Sequence, residues 1–296
     1  MPTELQTIEV HPAGTAVASV IVLHGLGADG TDFLPFADEI DLSAIGPVRW
    51  LLPRAPVRPV SVNNGYRMRA WYDIFEFGAQ AANPREDDAG LRDSFASVHA
   101  LIDREVARGV PANRIVLAGF SQGCAITLGA GLRHRQTLAG MAGLSGYLPL
   151  AASTAAERHS ANAATPLFLA HGRNDGMVPL ARGVAARDLL QGLGQPIEWR
   201  DYPMEHSVCI EEVQALQQWL LKVLRANCTH CAIESAPAGK YSLRYGCALP
   251  ITRGCFPCRS LQTLAWPPCS QAFLSVRRWP MPRCPWPRAR RQAGTA

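Results

Sequence analysis

The sequence predicts an α/β fold: a mainly parallel central sheet flanked by helices, followed by an unrelated C-terminal tail. Three observations predict it. Short runs that are apolar at nearly every position recur through residues 1–225, as strands covered on both faces do. Between them lie segments whose apolar residues recur at helical spacing. At about residue 226 the composition breaks, and the alternation stops.

The strand runs are 17–23 (VASVIVL), 48–52 (VRWLL), 114–118 (RIVLA), 138–144 (LAGMAGL), 166–170 (PLFLA) and 197–202 (IEWRDY). Residues 3–10 alternate apolar and polar, which predicts an early edge strand. In 89–108, Leu91, Phe95, Val98, Ile102 and Val106 share one helical face, and Asp87 and Asp88 precede it as N-terminal residues. In 212–224, Val213, Leu216, Leu220 and Val223 form a second stripe. Pro179 suits the first turn of a helix over 179–193. The run CAITLGAGL after Gly123 reads as a further helix. Strands alternating with helices give a parallel sheet, and such sheets carry their chemistry at the carboxyl ends of the strands.

Bulk composition narrows the class. The N-terminus lacks a basic-then-apolar signal pattern, and no apolar run approaches the ~18 residues of a membrane span. A cytoplasmic protein without stable membrane insertion is expected. The net charge of +5 is unevenly spread. From Ala226 onward ten Lys and Arg face a single acid, Glu234, so the tail holds +9 and the body −4. The tail also holds seven of the nine cysteines.

The strand ends carry the informative residues. After 114–118 comes GFSQG, residues 119–123, a G-x-S-x-G between a strand and a helix. A serine on so sharp a turn presents its hydroxyl at the sheet edge, and Gly119 and Gly123 remove bulk that would strike the neighbouring strand and helix. The pentapeptide alone also fits an ordinary Gly/Ser turn; the strand–turn–helix context favours a nucleophile. A serine needs a base, and the base an orienting acid. Asp175 follows strand 166–170 and His206 follows strand 197–202. The order Ser121, Asp175, His206 matches the order such an elbow takes. His171 precedes the acid and reads as structural. Asp201 reads as an edge charge, His134 as a solvated helix end and His159 as a loop residue. Cys124 and Cys209 read as small buried residues.

The first strand runs into HGLGADG, residues 24–30, whose glycines spell G-x-G-x-x-G. A dinucleotide fingerprint needs a helix opening within the glycines and an acid at the end of the second strand. Here Pro35 delays a helix, and Glu39 and Asp41 come before the second strand, which ends WLLPRAP. The alternative is an oxyanion loop, with one backbone N–H from Leu26 and one from Gln122, the residue after the nucleophile. The loop therefore reads as holding a transition state, and no cofactor is expected.

The chain resembles the small α/β-hydrolase carboxylesterases and lysophospholipases, a family that includes the acyl-protein thioesterases. The resemblance rests on VIVLHGLGADGTDF, LPRAPVRPVSVNNGYRMRAWYDI, RIVLAGFSQGCAI, GLSGYLP, LFLAHGRNDGMVP and EWRDYPMEHSVC, which span nearly all of residues 3–225. The RAWYDI version resembles the bacterial carboxylesterase branch. The resemblance implies an α/β-hydrolase fold, Ser121 as nucleophile, Asp175 as orienting acid and His206 as base. It also implies oxyanion donors at Leu26 and Gln122. A serine hydrolase of carboxylic esters follows, acting on short- to medium-chain acyl esters or lysophospholipids, with acyl-protein thioesterase activity as the alternative. No metal or cofactor is required. In AWYDIFEF, Trp71, Tyr72, Phe75 and Phe77 either line an acyl groove or pack core and loops.

Two domains are expected: the hydrolase over 1–225 and a basic Cys/Pro/Arg-rich tail over 226–296. Cys228-x2-Cys231 and Cys255-x2-Cys258 stand slightly wider apart than a zinc ribbon. A zinc or nucleic-acid-binding module on the basic tail is the non-enzyme alternative. The preferred reading is a disordered, non-native segment, because Arg, Pro, Cys and Trp enrichment without acids is what a GC-rich gene yields in a shifted frame. The expected partner is then a small ester or thioester and not nucleic acid, and a homodimer is left open.

Overall fold

The computed structural model describes residues 4–76 and 85–226. The expectations for the tail, including its Cys-x2-Cys pairs, and for Phe77 lie outside the described residues. Seven strands form the main sheet: β1 (Thr7–Val10), β2 (Ala18–Leu23), β3 (Val48–Pro53), β6 (Ile115–Phe120), β7 (Gly140–Leu144), β8 (Leu167–Gly172) and β9 (Ile197–Tyr202). Their order is β1-β3-β2-β6-β7-β8-β9. β1 runs antiparallel to β3 at the edge, and the other neighbours are parallel. β4 (Val57–Val60) and β5 (Tyr66–Arg69) form a separate antiparallel hairpin.

Six helices complete the described fold: α1 (Leu34–Glu39), α2 (Asp88–Ala107), α3 (Gln122–Arg133), α4 (Ala151–Glu157), α5 (Leu180–Gly192) and α6 (Ile210–Ala226). Asp87 caps α2, its side chain accepting from Gly90 N–H at 3.0 Å. Pro179 is the residue before α5 and not, as the sequence suggested, inside its first turn. Helices cover both sides of the sheet. Ile21, Leu117, Met141 and Leu169 pack with Leu91 and Phe95 of α2, Ile126 of α3 and Leu190 of α5. On the opposite face, Phe168 meets Trp219 of α6 with ring centroids 5.9 Å apart. This two-sided covering is why β2, β7 and β8 are buried at every position.

Two histidine and cysteine expectations are corrected. His134 is not solvated: it is buried, stacks edge-on against His99 at 5.0 Å, and its backbone carbonyl accepts from Asn162 Nδ2. The loop after α3 folds back under Asn162, which no local signal announces. Cys124 is buried as expected, whereas Cys209 is only half-buried.

Candidate active site

β6 runs two residues further than its apolar core suggests. Gly119 and Phe120 continue the ladder with Gly143 and Leu144 of β7, so Ser121 follows the strand directly and α3 begins at Gln122. Ser121 sits at φ 57°, ψ −117°, backbone geometry that costs a non-glycine residue about 1–3 kcal/mol. The turn persists because its neighbours hold it. Ser121 N–H donates to Leu144 O at 2.9 Å, and Ser121 O accepts from Cys124 N–H at 3.0 Å. The glycines matter through close approach. A Cβ on Gly123 would overlap the Leu23 carbonyl and lie 2.7 Å from His24 O, and one on Gly119 would lie 2.6 Å from Thr127 Oγ1.

β8 is also longer than predicted, ending at Gly172. Asp175 thus lies three residues past its strand. It is 7% exposed. Its Oδ1 accepts from Met177 N–H at 2.9 Å and Val178 N–H at 2.8 Å. Its Oδ2 lies 2.7 Å from His206 Nδ1. Burial works to raise the Asp175 pKa, but the His206 bond and the two backbone N–H groups outweigh it and hold the carboxyl below its usual value. An ionised carboxylate only accepts, so His206 Nδ1 carries the proton. His206 Nε2, 2.8 Å from Ser121 Oγ, is left free to accept the serine proton. The Phe120 ring packs 4.8 Å from the imidazole and limits its rotation. The three side chains predicted from separate strand ends therefore meet in one hydrogen-bonded line.

His171 lies beside this line without joining it. It is 1% exposed, contacts Val178 O at 2.8 Å and stands 3.5 Å from Asp175 Oδ2. Burial lowers its pKa, so it stays neutral and structural. Asp201 is exposed and pairs with Arg173 at 2.7 Å, the edge charge that was expected.

The glycine loop reaches the same point. A Cβ on Gly25 would sit 3.3 Å from Ser121 Cβ, so the loop closes directly over the serine. Gln122, 2% exposed, is the first residue of α3, and its N–H is one of the donors a helix start leaves without an intrahelical acceptor. Leu26 lies in the turn closed by Ala28 N–H on Gly25 O at 3.3 Å. The loop is braced from outside by Asp29, which meets Arg54 at 2.9 Å and Arg69 at 2.7 Å.

Sequence reasoning missed the role of His24 and left that of Trp71 open. His24 is fully buried, with Nδ1 2.7 Å from Gly25 O and Nε2 accepting from Ala55 N–H at 3.0 Å. Trp71 has no exposed surface. Of its two readings, groove wall or packing, the structure supports packing: its indole N–H donates to His24 O at 2.8 Å. Tyr72 is also buried, its hydroxyl 2.6 Å from that of Tyr147. The contacts with Ala55, Trp71 and Tyr147 join segments far apart in sequence, and no spacing rule encodes them. Among the described residues no group of three or more His, Cys, Asp or Glu is placed to hold a metal ion.

Comparison with known proteins decides the family. The model of the phospholipase/carboxylesterase family matches residues 6–224. The chain belongs to that family. It is a serine ester hydrolase of the α/β-hydrolase fold. It is 38% identical over 214 residues to an acyl-protein thioesterase 1 of Yarrowia lipolytica, covering 71% of this chain and 93% of that one. It is 33% identical over 213 residues to carboxylesterase SOBER1 of Arabidopsis thaliana, covering 72% and 93%. The crystal structure of SOBER1 superposes with a TM-score of 0.67, covering 70% of this chain and 99% of that one at 32% identity. That of Zea mays acyl-protein thioesterase 2 gives 0.65, covering 74% and 99% at 29% identity. No helix among the described residues is long and apolar enough to cross a membrane.

Proposed function

We propose that the enzyme hydrolyses short- to medium-chain carboxylic esters, lysophospholipids among them, through an acyl-enzyme on Ser121. The observation that carries this reading is the line Ser121 Oγ–His206 Nε2 at 2.8 Å and His206 Nδ1–Asp175 Oδ2 at 2.7 Å. His206 takes the Ser121 proton as Oγ attacks the ester carbonyl. The tetrahedral oxyanion is received by the backbone N–H groups of Leu26 and Gln122, donors of a kind that contribute about 3–4 kcal/mol each. His206 then passes its proton to the leaving alcohol. Water repeats the sequence on the acyl-enzyme, with His206 again as base. Asp175 keeps the imidazole in the required tautomer and stabilises the imidazolium.

A second reading, thioester hydrolysis, is favoured by the acyl-protein thioesterase relatives. The same line performs it, with His206 passing its proton to a leaving thiol in place of an alcohol. In both readings the catalytic unit is residues 1–225, which the span of the family match supports, and the enzyme works in the cytoplasm. The test is hydrolysis of p-nitrophenyl esters from acetate to palmitate, and of an acyl thioester, by the full chain and by Ser121→Ala. Activity on short and medium chains that vanishes in Ser121→Ala is expected. Activity confined to the thioester selects the second reading, and equal activity in Ser121→Ala rejects both.

A further inference from the structure

We propose that Trp71 and His24 are positioning residues that set the orientation of the Leu26 N–H toward Ser121. The inference rests on the oxyanion reading of Leu26 and Gln122. The two donors come from loops nearly a hundred residues apart, after β2 and after β6. An oxyanion site works only if both N–H groups aim at one point, and fixed aim is what distinguishes it from water.

The Leu26 N–H shares a rigid peptide plane with the Gly25 carbonyl. His24 Nε2 accepts from Ala55 N–H, so the imidazole proton sits on Nδ1 and is donated to Gly25 O at 2.7 Å. Fixing that carbonyl fixes the N–H at the other end of the plane. Burial lowers the His24 pKa and keeps this neutral tautomer. Trp71 then ties the loop to the second donor. Its indole N–H donates to His24 O at 2.8 Å, and its ring stands 5.3 Å from the imidazole. Its backbone N–H donates to Gln122 Oε1 at 2.9 Å, while Gln122 Nε2 donates to Tyr72 O at 2.8 Å. The Trp71 carbonyl is held in turn by the Ser94 hydroxyl. One buried residue thus grips both halves of the site, through its side chain on one loop and its backbone on the other.

The chain of contacts predicts an effect on the transition state and not on ground-state binding, because His24 and Trp71 have no exposed surface with which to meet an ester. Trp71→Phe removes the indole donor and keeps the backbone clip. Misplacing a catalytic group by about 1 Å can cost about 100-fold. The experiment measures kcat and KM on p-nitrophenyl butyrate, per active site titrated with a fluorophosphonate, together with affinity for an alkyl trifluoromethyl ketone, which forms a tetrahedral adduct on serine. Trp71→Phe is expected to lose about 10- to 100-fold in kcat at unchanged KM and to weaken ketone binding by the same factor. Trp219→Phe, a buried tryptophan on the far face of the sheet, loses thermal stability and keeps its kcat. His24→Asn, whose amide can still donate to Gly25 O, retains more kcat than His24→Leu. The proposal is overturned if Trp71→Phe keeps kcat and ketone affinity while Ser121→Ala is inactive. If Trp71→Phe fails to fold, equal kcat in His24→Asn and His24→Leu overturns it. Full activity in Ser121→Ala removes the underlying reading instead, and the inference falls with it.

Discussion

Replacing Asp175 by Asn isolates the orienting step. The substitution preserves shape, and the amide oxygen can still accept from Met177 N–H and Val178 N–H, which occupy Oδ1 at 2.9 and 2.8 Å. The loop therefore stays folded. The change falls on the other atom. At Oδ2, 2.7 Å from His206 Nδ1, an NH2 group replaces an acceptor. His206 must then accept at Nδ1, so its proton moves to Nε2, the atom that faces Ser121 Oγ at 2.8 Å. The base is lost by tautomer alone. The loss in kcat for this kind of inversion is about 10⁴-fold, or about 5.5 kcal/mol at 1.36 kcal/mol per decade. Steady-state hydrolysis of p-nitrophenyl butyrate is expected to show kcat down by about 10³- to 10⁴-fold at unchanged KM, with Tm changed by only a few degrees. A loss below about tenfold would refute the reasoning, because the carboxylate would then be a loop anchor and not the orienter of His206.

Three further outcomes follow from the same structure. Glu212, fully buried in the first turn of α6 with neither carboxyl oxygen hydrogen-bonded, has its pKa raised to about 8 by burial, which the nearby Cys209 N–H only partly offsets. A carboxyl raised in the folded state favours folding below its unfolded pKa, about 4.3, and that contribution is lost as pH rises through about 8. Wild-type Tm should fall between pH 5 and 9, while Glu212→Gln flattens the fall and exceeds wild type at pH 9; a wild-type-like slope in the variant would contradict this. Gly25→Ala places a Cβ 3.3 Å from Ser121 Cβ and 3.4 Å from Phe120 Cδ1, so kcat should drop at least about tenfold with little change in Tm, as kinetics and thermal melting would show. A chain ending at Ala226 should retain kcat and KM within about twofold, since the family match ends at residue 224; a collapse of activity would place a catalytic requirement in the tail.

The parts legible in the sequence were those set by local patterns. Doubly buried strands read as apolar runs, and the elbow, acid and base stood at the ends of three of them. What was missed depended on partners elsewhere in the chain. β6 and β8 run longer because Gly119, Phe120, His171 and Gly172 find ladder partners in β7 and β9, although the glycines and His171 do not look strand-like alone. Pro59 and the arginines obscure the β4–β5 hairpin in the sequence, although Asn64 and Gly65, at φ 53° and 76°, are a turn signal. Pro35, which the sequence reads as delaying a helix, lies in the first turn of α1, where proline is well tolerated. Trp71 and His24 illustrate the remaining limit. Their hydrogen bonds cross 47 and 31 residues, and only the folded chain brings those atoms together.

The central claim is that Ser121 carries the acyl group. It is tested most directly by acid-quenching the full-length enzyme during turnover of p-nitrophenyl butyrate and mapping its peptides by mass spectrometry. The account predicts one butyryl group on the peptide containing Ser121, absent from Ser121→Ala and accumulating further in a variant slowed in deacylation. A butyryl group on another residue, or turnover in Ser121→Ala at the wild-type rate, would contradict it.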